Sequence, residues 1–224
     1  MPEQKFYSIR QRPSAAGEKS AEVLIYGDIG ESWYGESVTA KEFVRELAAL
    51  DVEELIIRVN SYGGSVPEGI AIHNAIKRHK AKTTIAIDGI AASIASLIAM
   101  AGDTVEMAEN ALLMVHAPWG FAMGNSKEMR EYADQLDTWS KAMATSYAAK
   151  TGMSEDEVMA LLTDGVDHFY TAEEAKDAGF VDSVTASLAL AAHIDRAAVA
   201  ARFKTMPATA GKTPAAAAAQ PAHK

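Results

Sequence analysis

The sequence predicts an α/β protein in which a mostly parallel sheet is covered by helices. Three observations carry that expectation. Short apolar runs rich in β-branched residues, such as LIIRVN (55–60) and TTIAID (83–88), alternate with segments whose apolar residues recur at helical spacing. The joins between them carry glycine turns or helix-start signatures. With 224 residues, 49% of them hydrophobic, the chain is long enough to build one domain with a sizeable core.

Taken in order, residues 1–20 are polar and read as an N-terminal arm, and AEVLIYGDI (21–29) reads as a first strand. Thr39 with Glu42 three residues on forms a capping box, and Phe43, Val44, Leu47 and Leu50 follow at helical spacing, which predicts a helix. LIIRVN is a buried strand that opens into the turn SYGG. Ser65 and Glu68 form a second capping box with Pro67 in the first turn, starting a helix through Ile72 and Ile76. TTIAID is the next strand, and a helix is expected after Gly89. TVEMAE (104–109) and ALLMVH (111–116) read as strands. A long helix over 126–150 ends near Gly152, and shorter ones are expected over 154–162 and 171–178, with a last strand at FVDSV (180–184). From about residue 186 the composition turns to alanine; LALAAHIDRAAVAARF has the makings of a helix, and KTPAAAAAQPAHK offers little to bury and reads as disordered. The expected organisation is therefore an arm (1–20), a domain (21–185) and an alanine-rich extension (186–224).

Composition narrows the chemistry. The chain has no cysteine, which excludes disulfides, thiolate metal sites and a cysteine nucleophile, and fits a reducing compartment. A formal charge of -9 and no basic cluster argue against a nucleic-acid surface. The N-terminal stretch lacks the apolar core of a secretory signal, and the apolar runs fall short of the roughly 20 residues that span a bilayer. A cytoplasmic protein without membrane contact is the expectation.

Three strand ends then stand out. The pair Gly63 and Gly64 follows a strand and precedes a helix, so its backbone N–H groups are free to turn outward towards an anion. Ser93 lies where a strand gives way to a helix, and His116 closes the strand ALLMVH. Strand carboxyl ends are where open α/β sheets place their sites. Each feature alone has an ordinary structural explanation; together they supply what acyl transfer needs, namely a hydroxyl, an imidazole to take its proton, and backbone donors for an oxyanion. A carboxylate must orient the imidazole, and LLTDGVDHFYTAEEA offers Asp164 and Asp167. Ser96, three residues past Ser93, reads as a packing residue. His73, His79, His168, His193 and His223 have no partners at metal-ligand spacing, so neither a metal nor another cofactor is expected.

VNSYGG, GIAASIAS, MVHAP and DHFYTAEEAKDAGFVD, in that order, resemble the motifs of the Clp protease proteolytic subunit family and of its relatives among phage head-maturation proteases. The resemblance spans roughly residues 22–185. It implies the family's fold, shared with the crotonases: repeated β-β-α units around a mostly parallel sheet, with a handle-like strand and long helix. It also implies Ser93 as nucleophile, His116 as general base and acid, Asp167 in preference to Asp164 as orienting carboxylate, and the N–H groups of Gly64 and Ile94 as an oxyanion hole. Gly63 would shape that turn, and Pro118, Trp119 and Gly120 would begin a segment that holds a peptide as an added strand. The chain departs from the family pattern at Tyr62 and Ile90, neither a reacting group.

The activity so implied is that of a serine endopeptidase acting on peptide or protein substrates. YGDIGESWYGESVTAKEFVREL, DGIAASIASLIAMAGD and NALLMVHAPWGFAMGN look more like the phage or prophage enzymes, whose substrate would be capsid or scaffolding protein in a bacterial host cytoplasm. The alternatives are a peptidase chamber fed by an ATP-driven unfoldase, an acyl-CoA enzyme of the crotonase kind, and an assembly subunit without chemistry. Relatives form homo-oligomeric rings, so a heptameric or double heptameric chamber is expected. Met129, Tyr132, Leu136, Trp139 and Met143 make a stripe along the long helix that suits either that interface or the core.

Overall fold

The structure, a computed structural model, describes residues 7–13, 19–30 and 39–186. The alanine-rich extension, with His193 and His223, lies outside the described residues apart from its first position. The elements in chain order are β1 (Tyr7–Pro13), β2 (Lys19–Tyr26), α1 (Ala40–Ala48), β3 (Glu54–Ser61), α2 (Val66–Arg78), β4 (Lys82–Ala92), α3 (Ile94–Ala99), β5 (Thr104–Ala108), β6 (Leu112–Val115), α4 (Ser126–Thr151), α5 (Glu155–Thr163), β7 (His168–Tyr170), α6 (Ala172–Asp177) and β8 (Ser183–Thr185). The mixed α/β architecture with a mostly parallel sheet is the one the alternating pattern predicts. Part of the polar arm forms β1, which pairs antiparallel with β2.

The main path of the sheet runs β1-β2-β3-β4-β5-β8, with every pair from β2 onwards parallel. Strict alternation drives one face inward. Ala21, Val23 and Ile25, then Leu55, Ile57 and Val59, then Ile85 and Ile87 are buried in one cluster with Phe43 and Leu47 of α1, Ile72 and Ile76 of α2, and Ile94, Leu97 and Ile98 of α3. Each such side chain contributes about 1.5–3 kcal/mol by leaving water. The opposite face carries an ionic line across three strands: Arg58 pairs with Glu22 and with Asp88, and Tyr26 donates to Asp88 at 2.6 Å. Burial, with the carboxylate of Asp88 beside it, pushes the Tyr26 hydroxyl above its ordinary range.

β4 is the key to the site. Its eleven residues outlast its neighbours, so one edge serves two partners: Thr84–Ile87 pair with β5, and Ile90–Ala92 pair with β6. The helix expected directly after Gly89 therefore begins five residues later, at Ile94, because Ile90, Ala91 and Ala92 are still committed to strand pairing. β6 in turn pairs antiparallel with β7, a strand that the short polar sequence DHFY did not announce.

The helix caps differ from expectation in an instructive way. Thr39 and Ser65 occupy N-cap positions, but neither side chain accepts a capping bond. Glu68 is drawn away: its carboxylate accepts from the Ala40 N–H and so ties the start of α1 to α2. Full capping boxes form instead at Asn125/Glu128, Ser154/Glu157 and Thr171/Glu174. Gly152 ends α4 with φ 79, the left-handed cap that glycine supplies.

After β6, residues 116–125 carry no strand pairing among the described residues, so the expected handle strand is an unpaired segment here, followed by α4. The amino-terminal half of α4 is exposed nearly all round; only Ser140, Met143, Ala144 and Tyr147 in its second half are buried. Of the apolar stripe on this helix, Met143 belongs to the core and Met129 is exposed. No described helix is long and apolar enough to cross a membrane.

Candidate active site

Register brings the predicted residues together. In the parallel pair β4–β6, Ala92 lies opposite Met114, so the residues just beyond, Ser93 and His116, leave the two strands side by side. In the antiparallel pair β6–β7, Val115 lies opposite His168, which sets Asp167 against His116. Side chains separated by up to 74 positions thus meet at one sheet corner. His116 Nε2 lies 2.8 Å from Ser93 Oγ, and His116 Nδ1 lies 3.0 Å from Asp167 Oδ1.

The imidazole and carboxylate are almost wholly buried, with side chains 8% and 7% exposed, while Ser93 is half-buried. A carboxylate so placed accepts the Nδ1–H and leaves Nε2 as the acceptor facing the hydroxyl. Asp164 does something else: its carboxylate meets His168 Nε2 at 2.9 Å and accepts the Val166 N–H, which holds its pKa below the ordinary carboxylate value. Of the two candidate aspartates, Asp167 is the one that reaches His116.

Ser93 pays a conformational cost to stand here. Its φ of 55 and ψ of −132 make it the one non-glycine residue with positive φ among those described. Strain of this kind costs on the order of 1–3 kcal/mol and persists only where neighbours over-determine it. Three bonds do so: the Ser93 N–H donates to the Met114 carbonyl at 3.0 Å, and the Ser93 carbonyl accepts from the Ser96 N–H at 2.9 Å and from Ser96 Oγ at 2.6 Å.

The glycine pair fits around this turn. A Cβ on Gly63 would stand 2.7 Å from the Cβ of Ser93, and one on Gly64 would stand 2.1 Å from the Ile29 carbonyl oxygen. Neither position has room for a side chain, and both have positive φ, 95 and 149. Gly64 is bridged to Ile29 through its neighbours: Ile29 N–H donates to the Gly63 carbonyl and Ser65 N–H to the Ile29 carbonyl. By the alternation of an extended backbone, the Gly64 N–H faces away from Ile29. Ile94 is the first residue of α3, so its N–H has no carbonyl one turn back within that helix.

The other predicted positions separate. Pro118 is buried, whereas Trp119 is 57% exposed and Gly120 is exposed against the Tyr132 hydroxyl. Trp119 stacks edge-on to Phe121, with centroids 5.6 Å apart. His73 is buried beside Asn74, and burial lowers its pKa; His79 contacts the Leu50 carbonyl and the Ala81 N–H. Among the described residues, no group of three or more His, Asp or Glu side chains is arranged to hold a metal ion.

Ser96 is more than the packing residue its sequence context suggests. Its hydroxyl touches both the Ser93 carbonyl and the Tyr147 hydroxyl, the latter at 2.7 Å. No local signal could have paired it with a residue 51 positions away on α4.

The model of the Clp protease family matches residues 19–187. The chain is also similar to an ATP-dependent Clp protease proteolytic subunit from Pleurastrum terricola, with 31% identity over 166 residues, which covers 73% of this chain and 83% of that protein.

Proposed function

The chain belongs to the Clp protease family, and from that footing we propose that it is a serine endopeptidase working through an acyl-enzyme. The observation that carries the reading is the continuous line Ser93 Oγ, His116 Nε2, His116 Nδ1 and Asp167 Oδ1 at 2.8 and 3.0 Å. Ser93 Oγ attacks the scissile carbonyl while His116 Nε2 takes its proton. Asp167 holds the imidazole in the required tautomer and stabilises the imidazolium. The N–H groups of Gly64 and Ile94 receive the oxyanion, a contribution of about 10²- to 10³-fold in rate per donor. His116 then protonates the leaving amine, and water, activated by the same imidazole, releases the acyl group from Ser93. Peptide would lie along the exposed segment after His116, where Trp119 and Gly120 are free of partner strands and offer backbone pairing that tolerates many side chains.

Within the family, the stretches around Tyr26, Ser93 and His116 favour the phage head-maturation type, acting on capsid or scaffolding protein in the host cytoplasm. The family also supports a homo-oligomeric ring, heptameric or double heptameric. The bare half of α4, with Phe121 and Met123 exposed before it, is surface that assembly would cover. In the rival arrangement an ATP-driven unfoldase feeds the chamber.

A fluorophosphonate should label the purified protein on one residue, and Ser93→Ala should remove both label and peptide cleavage. A folded wild-type oligomer that neither labels nor cleaves would defeat the reading. Repeating the assay on a folded capsid or scaffolding protein, with and without a Clp-type unfoldase and ATP, separates the two subtypes: cleavage that requires both additions sinks the head-maturation assignment.

A further inference from the structure

We propose that Ser96 and Tyr147 are positioning residues for the Ser93 nucleophile, an inference that rests on the acyl-enzyme reading above. The Ser93 carbonyl can only accept, and it lies 2.6 Å from Ser96 Oγ, so the single Ser96 proton is committed there. The contact between Ser96 and Tyr147 at 2.7 Å then has one consistent polarity: Tyr147 Oη donates and Ser96 Oγ accepts. The line Tyr147 to Ser96 to Ser93 runs from α4, through the first turn of α3, to the strained peptide itself.

Every member of this line is fixed. Ser96 is fully buried, and Tyr147 is 1% exposed. The Tyr147 ring, carried by α4, packs edge-on to Phe180 of the segment before β8, with centroids 6.1 Å apart. Burial raises the Tyr147 pKa above its ordinary value, so the phenol keeps the proton it donates. The Ser93 carbonyl receives a second bond from the Ser96 N–H, but that bond belongs to any helix turn; the hydroxyl bond is what this sequence adds. Its consequence is orientational. Holding the carbonyl after Ser93 fixes ψ at −132, and with it both the direction of the Ile94 N–H and the aim of Oγ towards His116.

The chemistry at His116 and Asp167 is untouched by this line, which gives the test its discrimination. The variant Ser96→Ala/Tyr147→Phe removes both hydroxyls together, leaves no buried polar group orphaned and conserves the packing. Its thermal midpoint should stay within about 3 °C of wild type. Fluorophosphonate labelling, resolved into initial binding and maximal rate, should keep its binding constant while the maximal rate falls about tenfold, a fraction of the roughly 100-fold that a 1 Å misplacement costs. The pH midpoint of labelling should not move. Labelling of the folded double variant at the wild-type maximal rate, or a loss confined to binding, overturns the positioning role while the acyl-enzyme reading stands. Failure of the wild type itself to label overturns that reading instead. If the double variant does not fold, Tyr147→Phe decides: about threefold slower labelling is expected from loss of the polarising donor, and an unchanged rate overturns the proposal.

Discussion

Ser93 shows how much a single backbone conformation depends on its surroundings. Its positive φ would relax in an isolated peptide; here a strand carbonyl, a helix N–H and a buried hydroxyl hold it, and Gly63 packs against its Cβ with no space to spare. The two nearby aspartates serve different partners. Asp167→Asn keeps the shape but presents an amide to Nδ1, which favours the wrong tautomer, so kcat should fall by about 10³- to 10⁴-fold. Asp164→Asn should leave kcat within about twofold, because its carboxylate serves His168 and a local turn, where surface changes are usually small in effect. Peptidase assays of the two variants check this; equal losses would mean that the Asp167 contact does not orient the imidazole.

At the scale of elements, sequence signatures and realised bonds part company at the helix starts. Ser65 has the spacing of a capping box but makes no capping bond, whereas the Ser154 hydroxyl accepts from the Glu157 N–H. Ser154→Ala should therefore lower unfolding stability by about 1 kcal/mol, with Ser65→Ala within a few tenths, as denaturant titrations would read. The same box has a pH signature. Hydrogen bonds from the Ser154 N–H and hydroxyl hold the Glu157 carboxyl below its ordinary 4.5. A depressed folded pKa means that the contribution is fully present above 4.5 and is lost as pH falls through the lower folded value. Glu157→Gln should accordingly reduce stability at neutral pH and converge with wild type in acid. The residue is exposed, so the difference is small and is best seen as a change in slope.

For the whole molecule, the fold leaves unequal surfaces. The core lies under one face of the sheet, the ionic line of Glu22, Arg58 and Asp88 crosses the other, and the first half of α4 projects with little of its own chain against it. A helix exposed on all sides derives little stability from packing, and isolated helices gain little on their own. Burial against other copies, in the ring proposed above, would supply what is missing. Sedimentation of the purified protein should give a ring-sized particle, and Met129→Glu should weaken it without unfolding the protomer, since Met129 is 44% exposed there. A stable monomer for the wild type would contradict the ring. Family membership itself reaches from 19 to 187, nearly the whole described domain.

The α/β class, most strands and helices, and Ser93, His116 and the glycine pair as residues of interest were legible in the sequence, because alternation, helical spacing and turn chemistry are local. Local signals failed where partners compete. β4 runs past Gly89 because β6 pairs with its end; Glu68 leaves its box for the Ala40 N–H; and β7 forms from an unpromising tripeptide because β6 offers it an edge. Spacing left both Asp164 and Asp167 open and only the family resemblance favoured Asp167; its contact with His116, and the bond from Tyr147 to Ser96, come from tertiary structure. Strand register and helix packing set those distances, and both are decided by burial between segments that lie far apart along the chain.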